Sequence, residues 1–155
     1  MNTIDYFKLQ AKNLLRDFKT KTPVPDKTTS AFLFEYKPRY FDIEMIISDF
    51  GIDEENFSLM NAQHVIAKIA NFDNWSVLIE VSKEELELAK LLYDHQNKID
   101  LVGWKFYIAD AQSMNQTELD AEIQVEIFKQ VVVEENIFDY MEMESYLLIH
   151  KSNFY

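Results

Sequence analysis

Apolar side chains recur at helical spacing along most of the chain, and the first such segment covers residues 4–21. Its repeating apolar positions share one face and are Phe7, Ala11, Leu14, Leu15 and Phe18. Thr3 is a suitable N-cap for this segment, and Pro23 follows its end. Lysine and arginine side chains stand beside the apolar face, four residues apart. The pattern predicts an amphipathic N-terminal helix with a basic flank.

Helix stop signals place the next two helices. Residues 40–50 form a short apolar segment that ends at Gly51, the residue that best accepts a left-handed helix end. Ser58 is predicted to cap a helix over residues 59–70. Asn71 follows that helix and tolerates the same left-handed conformation. These signals predict two helices in the first half of the chain after the N-terminal one.

Capping residues also predict the helices of the second half. Asp73 is expected to cap a short helix that contains Trp75, and residues 82–85 form a Ser-Lys-Glu-Glu capping box for a helix to about residue 96. Asp100 is expected to cap the next helix, and Thr117 to begin the last one. The apolar face of that last helix is predicted to carry Leu119, Ile123, Ile127 and Val131.

Strand signals are few. Residues 31–37 alternate aromatic and other side chains, which is typical of a half-buried strand. Residues 145–150 are a second candidate strand, expected to pair with residues 31–37. The β-branched run at residues 131–133 is compatible with helix or strand. The fold class predicted is therefore mainly α (α+β), with five to seven helices, a two- or three-stranded antiparallel element and a single domain over residues 1–155.

Charge is distributed unevenly along this chain of 155 residues, whose net charge is −12. Residues 1–39 hold eight basic and four acidic side chains, net +4, so residues 40–155 hold seven basic and 23 acidic ones, net −16. A surface this acidic repels phosphate backbones, because nucleic-acid affinity comes mainly from cationic neutralisation of phosphates. It steers the protein toward basic partners instead.

Residue types that are absent exclude several kinds of chemistry. The sequence has no cysteine, so it can form neither disulfides nor thiolate metal sites. No secretory signal pattern is present at the N-terminus, and no uncharged apolar run approaches the roughly 18 residues of a membrane span. A cytoplasmic protein without contact to a membrane is the expectation.

Catalytic and metal-binding motifs are not evident. His64, His95 and His150 are far apart and lack the i, i+3 or i, i+4 partner of a metal-binding helix. There is no Gly-x-Ser-x-Gly elbow, and two glycines leave little room for an oxyanion loop. The Asp-Phe-Gly triplet at residues 49–51 is read as a chance match to a kinase motif, and Asp53-Glu54-Glu55 as a solvated turn. We expect no enzyme activity, no metal and no cofactor.

A central motif resembles a known arrangement. Residues 62–67 read Ala-Gln-His-Val-Ile-Ala, and Phe72, Trp75 and Leu78 follow. With residues 11–18, this resembles an uncharacterised family of small bacterial proteins that carry an Ala-Gln-x-x-Ile-Ala…Phe-x-x-Trp-x-x-Leu helix–turn–helix pair. The resemblance is most specific over residues 57–95, and Asn71 stands where the family usually has glycine. No activity is known for the family, so the resemblance implies a local fold and no site.

The same pair has the spacing of a DNA-binding helix–turn–helix. Its second helix would carry Asp73, Asn74, Trp75, Ser76 and Glu80, and it contains no lysine or arginine. Base readout and phosphate anchoring both favour cations in that position. Phe72 and Trp75 are therefore interpreted as core residues that hold the two helices together.

Two surfaces remain as functional candidates. The first is an acidic set expected to bind a protein partner with a basic surface, helped by exposed aromatic residues near the C-terminus; it consists of Glu118, Glu122, Glu126, Glu134 and Glu135. One form of this hypothesis is an inhibitor that occupies the basic nucleic-acid groove of its partner; by analogy, phage and mobile-element anti-defence proteins are often small, acidic and free of cysteine. The alternative that these carboxylates only keep the protein soluble stays open. The rival hypothesis is nucleic-acid binding through Lys8, Lys12, Arg16 and Lys19.

Overall fold

The structure is a computed structural model that describes residues 1–26 and 28–151. The chain divides into two compact units. The first comprises Met1–Ile66 and Ser145–Tyr155, and the second comprises Ala67–Glu144. The boundary falls within a helix, so one helix contributes residues to both units. The expectation of one domain over residues 1–155 stays a prediction.

The first unit begins with helix α1, Thr3–Phe18. Four of the five residues predicted for its inward face, Phe7, Ala11, Leu14 and Phe18, are buried, and the fifth, Leu15, is half-buried. The predicted cap is wrong by one residue. The Asn2 side chain, not that of Thr3, accepts the hydrogen bond from the Asp5 N–H at 2.8 Å, and Thr3 lies inside the helix.

The next helix, α2, extends over Ile43–Phe50 and ends as predicted. Asp42 caps its start by accepting a hydrogen bond from the Met45 N–H at 3.1 Å. Gly51 adopts the left-handed conformation at its end, with φ of 60°. The helix buries Ile43, Ile46 and Ile47.

The small sheet pairs two short strands in antiparallel register. Strand β1 is Thr22–Pro23 and strand β2 is Phe34–Glu35, with Thr22 opposite Glu35 and Pro23 opposite Phe34. The strand predicted over residues 31–37 is therefore shorter than expected, although its alternation of half-buried and exposed side chains is confirmed.

The predicted pairing of residues 145–150 with residues 31–37 is wrong. Leu147 forms an isolated antiparallel bridge with Phe41 instead. The Leu148 N–H donates to the Tyr40 carbonyl at 3.0 Å, and Leu148–His150 then form a 3₁₀ turn. The Ser145 hydroxyl accepts the Leu147 N–H at 3.1 Å, which bends the segment before it can extend.

Helix α3 covers Leu59–Ile69, so it starts where the sequence predicts and ends one residue before the predicted end at residue 70. Ser58 and Asn61 cap it reciprocally, since each side chain accepts the other residue's backbone N–H, at 3.2 and 2.9 Å respectively. Asn71 has a positive φ of 71°, and the following N–H of Phe72 donates back to the Ala67 carbonyl at 2.9 Å. This is the left-handed helix end expected from the sequence.

Helix α4, Trp75–Glu80, is capped by Asn74 rather than by the predicted Asp73. The Asn74 side chain accepts the Val77 N–H at 2.9 Å. Of the apolar residues in this region, Leu78 is buried, but Phe72 and Trp75 are only half-buried. The interpretation of Phe72 and Trp75 as core residues is therefore wrong.

Three longer helices follow in the second unit. Helix α5, Lys83–Asp94, is capped by Ser82 and helix α6, Leu101–Asn115, is capped by Asp100, both as predicted. Helix α7 is Ala121–Phe128, and it continues directly into a π-helical segment, Lys129–Glu134. The β-branched run at residues 131–133 is thus helical.

The predicted start of α7 at Thr117 is wrong because Asp120 caps the helix. The Asp120 side chain accepts the Ile123 N–H at 3.0 Å. The Gln112 side chain holds the preceding loop by accepting the Leu119 N–H at 2.8 Å. The buried face also differs from the predicted one, since Val125 and Phe128 are buried while Ile123 is 44% exposed.

The core of the second unit surrounds Trp104 and Phe128, whose ring centroids lie 4.9 Å apart. Leu92, Ile99, Ile108 and Val132 complete the cluster. The Trp104 indole N–H donates to the Gln124 side-chain oxygen at 3.0 Å, so its polar atom is satisfied. The described residues thus form seven α-helices and one two-stranded antiparallel sheet, which confirms the mainly α class.

Candidate interaction surfaces

Net charge follows the division into units. The second unit holds 17 acidic and 6 basic residues, net −11, and the first holds 10 acidic and 9 basic residues, net −1. The two values sum to the −12 of the chain. Residues 40–66, acidic in sequence, belong with the basic N-terminal helix in the first unit. The excess of carboxylates is therefore a property of the second unit.

The five predicted glutamates are all exposed but do not form one stripe. Glu122 and Glu126 lie one turn apart on α7, where side chains at i and i+4 are neighbours. Glu118 precedes the helix in the loop that Asp120 ends, so its predicted place on the same helical stripe is wrong. Glu134 ends the π-helical segment and Glu135 follows it. We use the name acidic face for this set of five exposed glutamates, of which Glu122 and Glu126 lie one helical turn apart.

Little positive charge offsets the acidic face. Lys129 lies 3.8 Å from a Glu126 carboxylate oxygen, with both side chains more than half exposed. An ion pair this exposed contributes little to the stability of the fold. Glu135 accepts a hydrogen bond from the Gln130 side chain at 3.1 Å. Within residues 1–26 and 28–151, Glu118, Glu122 and Glu134 have no cation at ion-pair distance.

Exposed apolar side chains accompany these carboxylates. Ile123 on α7 and Val133 in the π-helical segment are 44% and 41% exposed. Tyr140, in the loop that follows, is 78% exposed, whereas Phe138 packs against the core of the second unit. Tyr140 is therefore an exposed aromatic residue near the C-terminus, as predicted. Phe154 and Tyr155 lie outside the described residues. A partner that binds Glu122 and Glu134 would meet Ile123 and Val133, which adjoin them in sequence, as well as negative charge.

The basic flank of α1 is also exposed. Lys8, Lys12 and Arg16 repeat every four residues on the helix, and Lys19 follows at its C-cap. At 1.5 Å per residue, this row covers roughly 16 Å. None of the four takes part in an ion pair in the part of the chain that the structure describes. We call this set the basic row.

Hydrogen bonds bring the backbone of two further basic residues to the C-terminal end of α1. The Lys37 N–H donates to the Thr20 hydroxyl at 2.9 Å, and the Arg39 N–H donates to Asp17 at 2.9 Å. Both side chains are exposed. Sequence reasoning missed Lys37 and Arg39 because they follow the row by about 20 residues. The available signal was Asp17, a carboxylate on the inward side of an amphipathic helix.

Asp17 is the clamp that fixes this loop. It is 2% exposed, and its two carboxylate oxygens accept three backbone N–H groups. Besides the bond to Arg39, Oδ2 accepts from Tyr40 and from Phe41, each at 2.8 Å. A buried carboxylate is tolerated when it is satisfied in this way. The loop backbone is therefore held in one conformation against the end of α1.

A second buried carboxylate, Glu54, contradicts the prediction of a solvated turn at residues 53–55. Glu54 is only 6% exposed, while its neighbours Asp53 and Glu55 are exposed. Its oxygens accept the Leu33 N–H at 3.0 Å and the Tyr36 hydroxyl at 2.9 Å. Burial and the nearby Glu54 carboxylate raise the pKa of Tyr36, so the phenol stays protonated and continues to donate. Glu54 holds the strand segment in place.

Two of the three histidines make local hydrogen bonds, and the third is exposed. His64 is exposed, and the His95 ring nitrogen Nδ1 lies 2.7 Å from the Leu91 carbonyl oxygen. His150 Nδ1 lies 2.7 Å from the Ser145 hydroxyl oxygen. That serine is 2% exposed and also accepts the Leu147 N–H, so the pair fixes a turn rather than presenting a nucleophile to solvent. Among the described residues, no group of three or more histidine or carboxylate side chains is placed to hold a metal ion.

Comparison with known proteins gives no relative. No protein-family model matches the chain, and no curated protein or solved structure is significantly similar to it. The resemblance of the central motif to a bacterial family stays a prediction. In the described part of the chain, every helix is too short or too polar to cross a bilayer.

Proposed function

We propose that the protein is a non-catalytic binding protein, and that its acidic face holds another protein through a basic surface. The observation that carries this proposal is the segregation of charge. Nearly all of the net charge of −12 belongs to the second unit, which has 17 carboxylates and only 6 basic residues. A concentrated negative field accelerates encounter with a basic partner and orients it. The exposed apolar residues beside the acidic face provide area that a bound partner would remove from water.

In its narrower form, the proposal makes the protein an inhibitor. Exposed carboxylates one helical turn apart would occupy a basic groove that otherwise takes nucleic-acid phosphates. This is the mode of action expected of an anti-defence protein of a phage or mobile element, acting in the cytoplasm. Because the attraction is electrostatic, such a complex would form fast and weaken as salt rises.

The test compares two variants of equal net charge, each at −9. The first neutralises the acidic face through Glu122→Gln, Glu126→Gln and Glu134→Gln. The control neutralises three exposed carboxylates elsewhere in the same unit through Asp73→Asn, Glu80→Gln and Glu85→Gln. The probe is a fluorescent oligo-arginine peptide of about ten residues, and its Kd is measured by anisotropy at 50 and 150 mM salt.

We expect the acidic-face variant to weaken binding about tenfold or more, because three charge pairs of up to roughly 1 kcal/mol each are lost. The control should change the Kd by no more than about threefold. Equal losses in both variants would show that net charge alone attracts the peptide, and the acidic face would not be a site.

A second candidate function rests on Lys37 and Arg39. They are exposed cations of the first unit, on a loop whose backbone is hydrogen-bonded to Asp17 at the end of α1. A loop with a fixed backbone loses less conformational entropy than a mobile loop when its cations bind a polyanion. The ligand of this candidate is the phosphate backbone of a nucleic acid.

Salt titration tests this second candidate. Binding of a 20-nucleotide single-stranded DNA is measured from about 30 to 200 mM salt, with log Kd plotted against log salt. Neutralising Lys37 and Arg39 to glutamine should reduce the slope by about 1.4, since each phosphate contact contributes roughly 0.7. The matched control neutralises Lys68 and Lys83, which are exposed in the second unit. Absence of binding at the lowest salt, or equal effects of the two variants, would eliminate this candidate.

A further inference from the structure

Helix α6, Leu101–Asn115, is apolar on two opposite faces. One face carries Trp104 and Ile108, which are 1% and 5% exposed in the core of the second unit. The opposite face carries Val102 and Phe106, which are 62% and 74% exposed. A helix with one buried face ordinarily presents polar side chains on the other. The solvent-facing side of α6 departs from this pattern, since Val102 and Phe106 are large apolar residues exposed to water.

The exposed face has the spacing of a coiled-coil seam. Val102, Phe106, Ala109 and Ser113 follow one another at intervals of four, three and four residues, which is the a/d repeat of a heptad. All four are exposed and none is charged. The row is roughly 16 Å long, and the small side chains of Ala109 and Ser113 allow a second helix to approach closely. We call these four residues the α6 seam.

Charged residues on the two sides of the seam indicate what covers it. Lys105 and Asp110 are both exposed, lie on opposite flanks, and take part in no ion pair within the described residues. In the heptad set by the seam, Lys105 occupies position g and Asp110 occupies position e. In a parallel coiled coil, a g residue faces the e residue of the other helix five positions later. That pairing joins Lys105 to Asp110 of a second copy.

An antiparallel arrangement would not have this complementarity. It places g positions beside g positions and e positions beside e positions, so that Lys105 would share a side with the other copy's Lys105. Like charges in such positions are destabilising. The charge pattern therefore favours two parallel copies of the same helix.

We propose that the α6 seam is a self-association surface, on which two copies of the chain pack in parallel, with Lys105 of each copy paired to Asp110 of the other. The two equivalent contacts are what a twofold-symmetric dimer requires. Four side-chain layers are fewer than the three to four heptads of a self-sufficient coiled coil. Each copy also carries a charge of −12, which opposes association. The dimer is therefore weak and forms at high protein concentration.

Sedimentation equilibrium on the full chain tests the proposal, from about 5 μM to 1 mM protein in 0.15 M salt. The expected result is a mass that rises with concentration from 18.4 kDa toward twice that value. Phe106→Ala should raise the dimer Kd at least tenfold. Met114→Ala is the matched control, because Met114 is 79% exposed on the same helix but lies off the seam, and it should leave the Kd unchanged. Circular dichroism confirms that both variants keep their helix content.

Charge reversal tests the parallel arrangement. Lys105→Glu and Asp110→Lys should each weaken the dimer, since each creates two like-charge pairs across the seam. The double variant should restore the Kd to within about threefold of the original chain. A chain that stays monomeric up to 1 mM would overturn the proposal, and so would equal losses from Phe106→Ala and Met114→Ala. A double variant no tighter than the single ones would also overturn it, because the parallel pairing would then be wrong.

Discussion

Replacing Asp17 by asparagine tests the clamp between α1 and the loop at residues 37–41. The carboxylate is 2% exposed and accepts N–H groups from Arg39, Tyr40 and Phe41. Asparagine has nearly the same shape but only one acceptor oxygen, and its amide group is a donor. The best fit keeps the two bonds to Tyr40 and Phe41 and turns the amide toward the Arg39 N–H, so that two donors face each other.

The expected magnitude follows from these three bonds. Leaving the Arg39 N–H without its acceptor costs roughly 1–3 kcal/mol. Converting the other two bonds from charge-assisted to neutral loses roughly 1 kcal/mol each. The free energy of unfolding should therefore fall by about 3–5 kcal/mol. With an m-value of about 2 kcal/mol/M in urea, the unfolding midpoint would shift down by about 2 M.

The assay is urea unfolding followed by circular dichroism at 222 nm. Asp5→Asn is the matched control, because it makes the same chemical change at an exposed position on the same helix. Its expected effect is below about 1 kcal/mol, the usual value for an acidic residue near a helix N-terminus. If the two variants lose the same stability, the three hydrogen bonds to Asp17 do not form in solution, and the loop that carries Lys37 and Arg39 is not held by them.

Three further predictions concern stability. Gln124→Ala should lower the free energy of unfolding by roughly 1–3 kcal/mol, because the Trp104 indole N–H loses its acceptor; urea unfolding followed by tryptophan fluorescence measures this, and an unchanged midpoint would contradict it. The pKa of Tyr36 is raised on folding, so the protonated phenol stabilises the folded state. This contribution to the free energy of unfolding is complete below pH 10 and is lost as pH rises above that value. Above pH 10, unfolding free energies should thus fall more steeply for the original chain than for Tyr36→Phe, by at most about 1.4 kcal/mol per pH unit before solvent screening, and parallel curves would refute the effect. Gly51→Ala should lower the melting temperature, because a residue with a Cβ is strained at the φ of 60° that Gly51 adopts. An added Cβ meets no atom within 4 Å, so the expected loss of about 1–2 kcal/mol comes from this backbone strain and not from a clash. A higher melting temperature would show that the strain is absent.

Local signals predicted much of the helical structure. Ser58, Ser82 and Asp100 cap the helices as expected, and Gly51 and Asn71 end helices in the left-handed conformation. At these positions a single strong capping residue stands beside a clear apolar period, so local chemistry is enough to decide the boundary.

Errors occurred where several residues could cap. Asn2 and Thr3 are adjacent, as are Asp73 and Asn74, and the local pattern does not rank them. Asp120 rather than Thr117 caps α7. The Leu119 N–H donates to the side chain of Gln112, seven residues earlier, and this bond keeps residues 117–119 in a loop. These choices depend on side-chain contacts that a periodicity argument does not contain.

The candidate surfaces were only partly predictable. Exposure of the acidic face and of the basic row follows from helical periodicity and from the position of the charges. The approach of Lys37 and Arg39 to the end of α1 depends on hydrogen bonds over 17 and 22 residues. Burial of Asp17 and Glu54 is a tertiary effect as well, since both carboxylates bind backbone groups from distant segments.

The positive φ values of Asn71, Gln116 and Asn136 have a consequence for the denatured chain. These turns use asparagine and glutamine where many proteins use glycine, and the whole chain has only two glycines. Each such residue is mildly strained in the native state, but it samples fewer backbone conformations than glycine when the chain is unfolded. The chain thus loses less conformational entropy on folding, and replacing any of the three with glycine would relieve local strain while making the denatured ensemble larger.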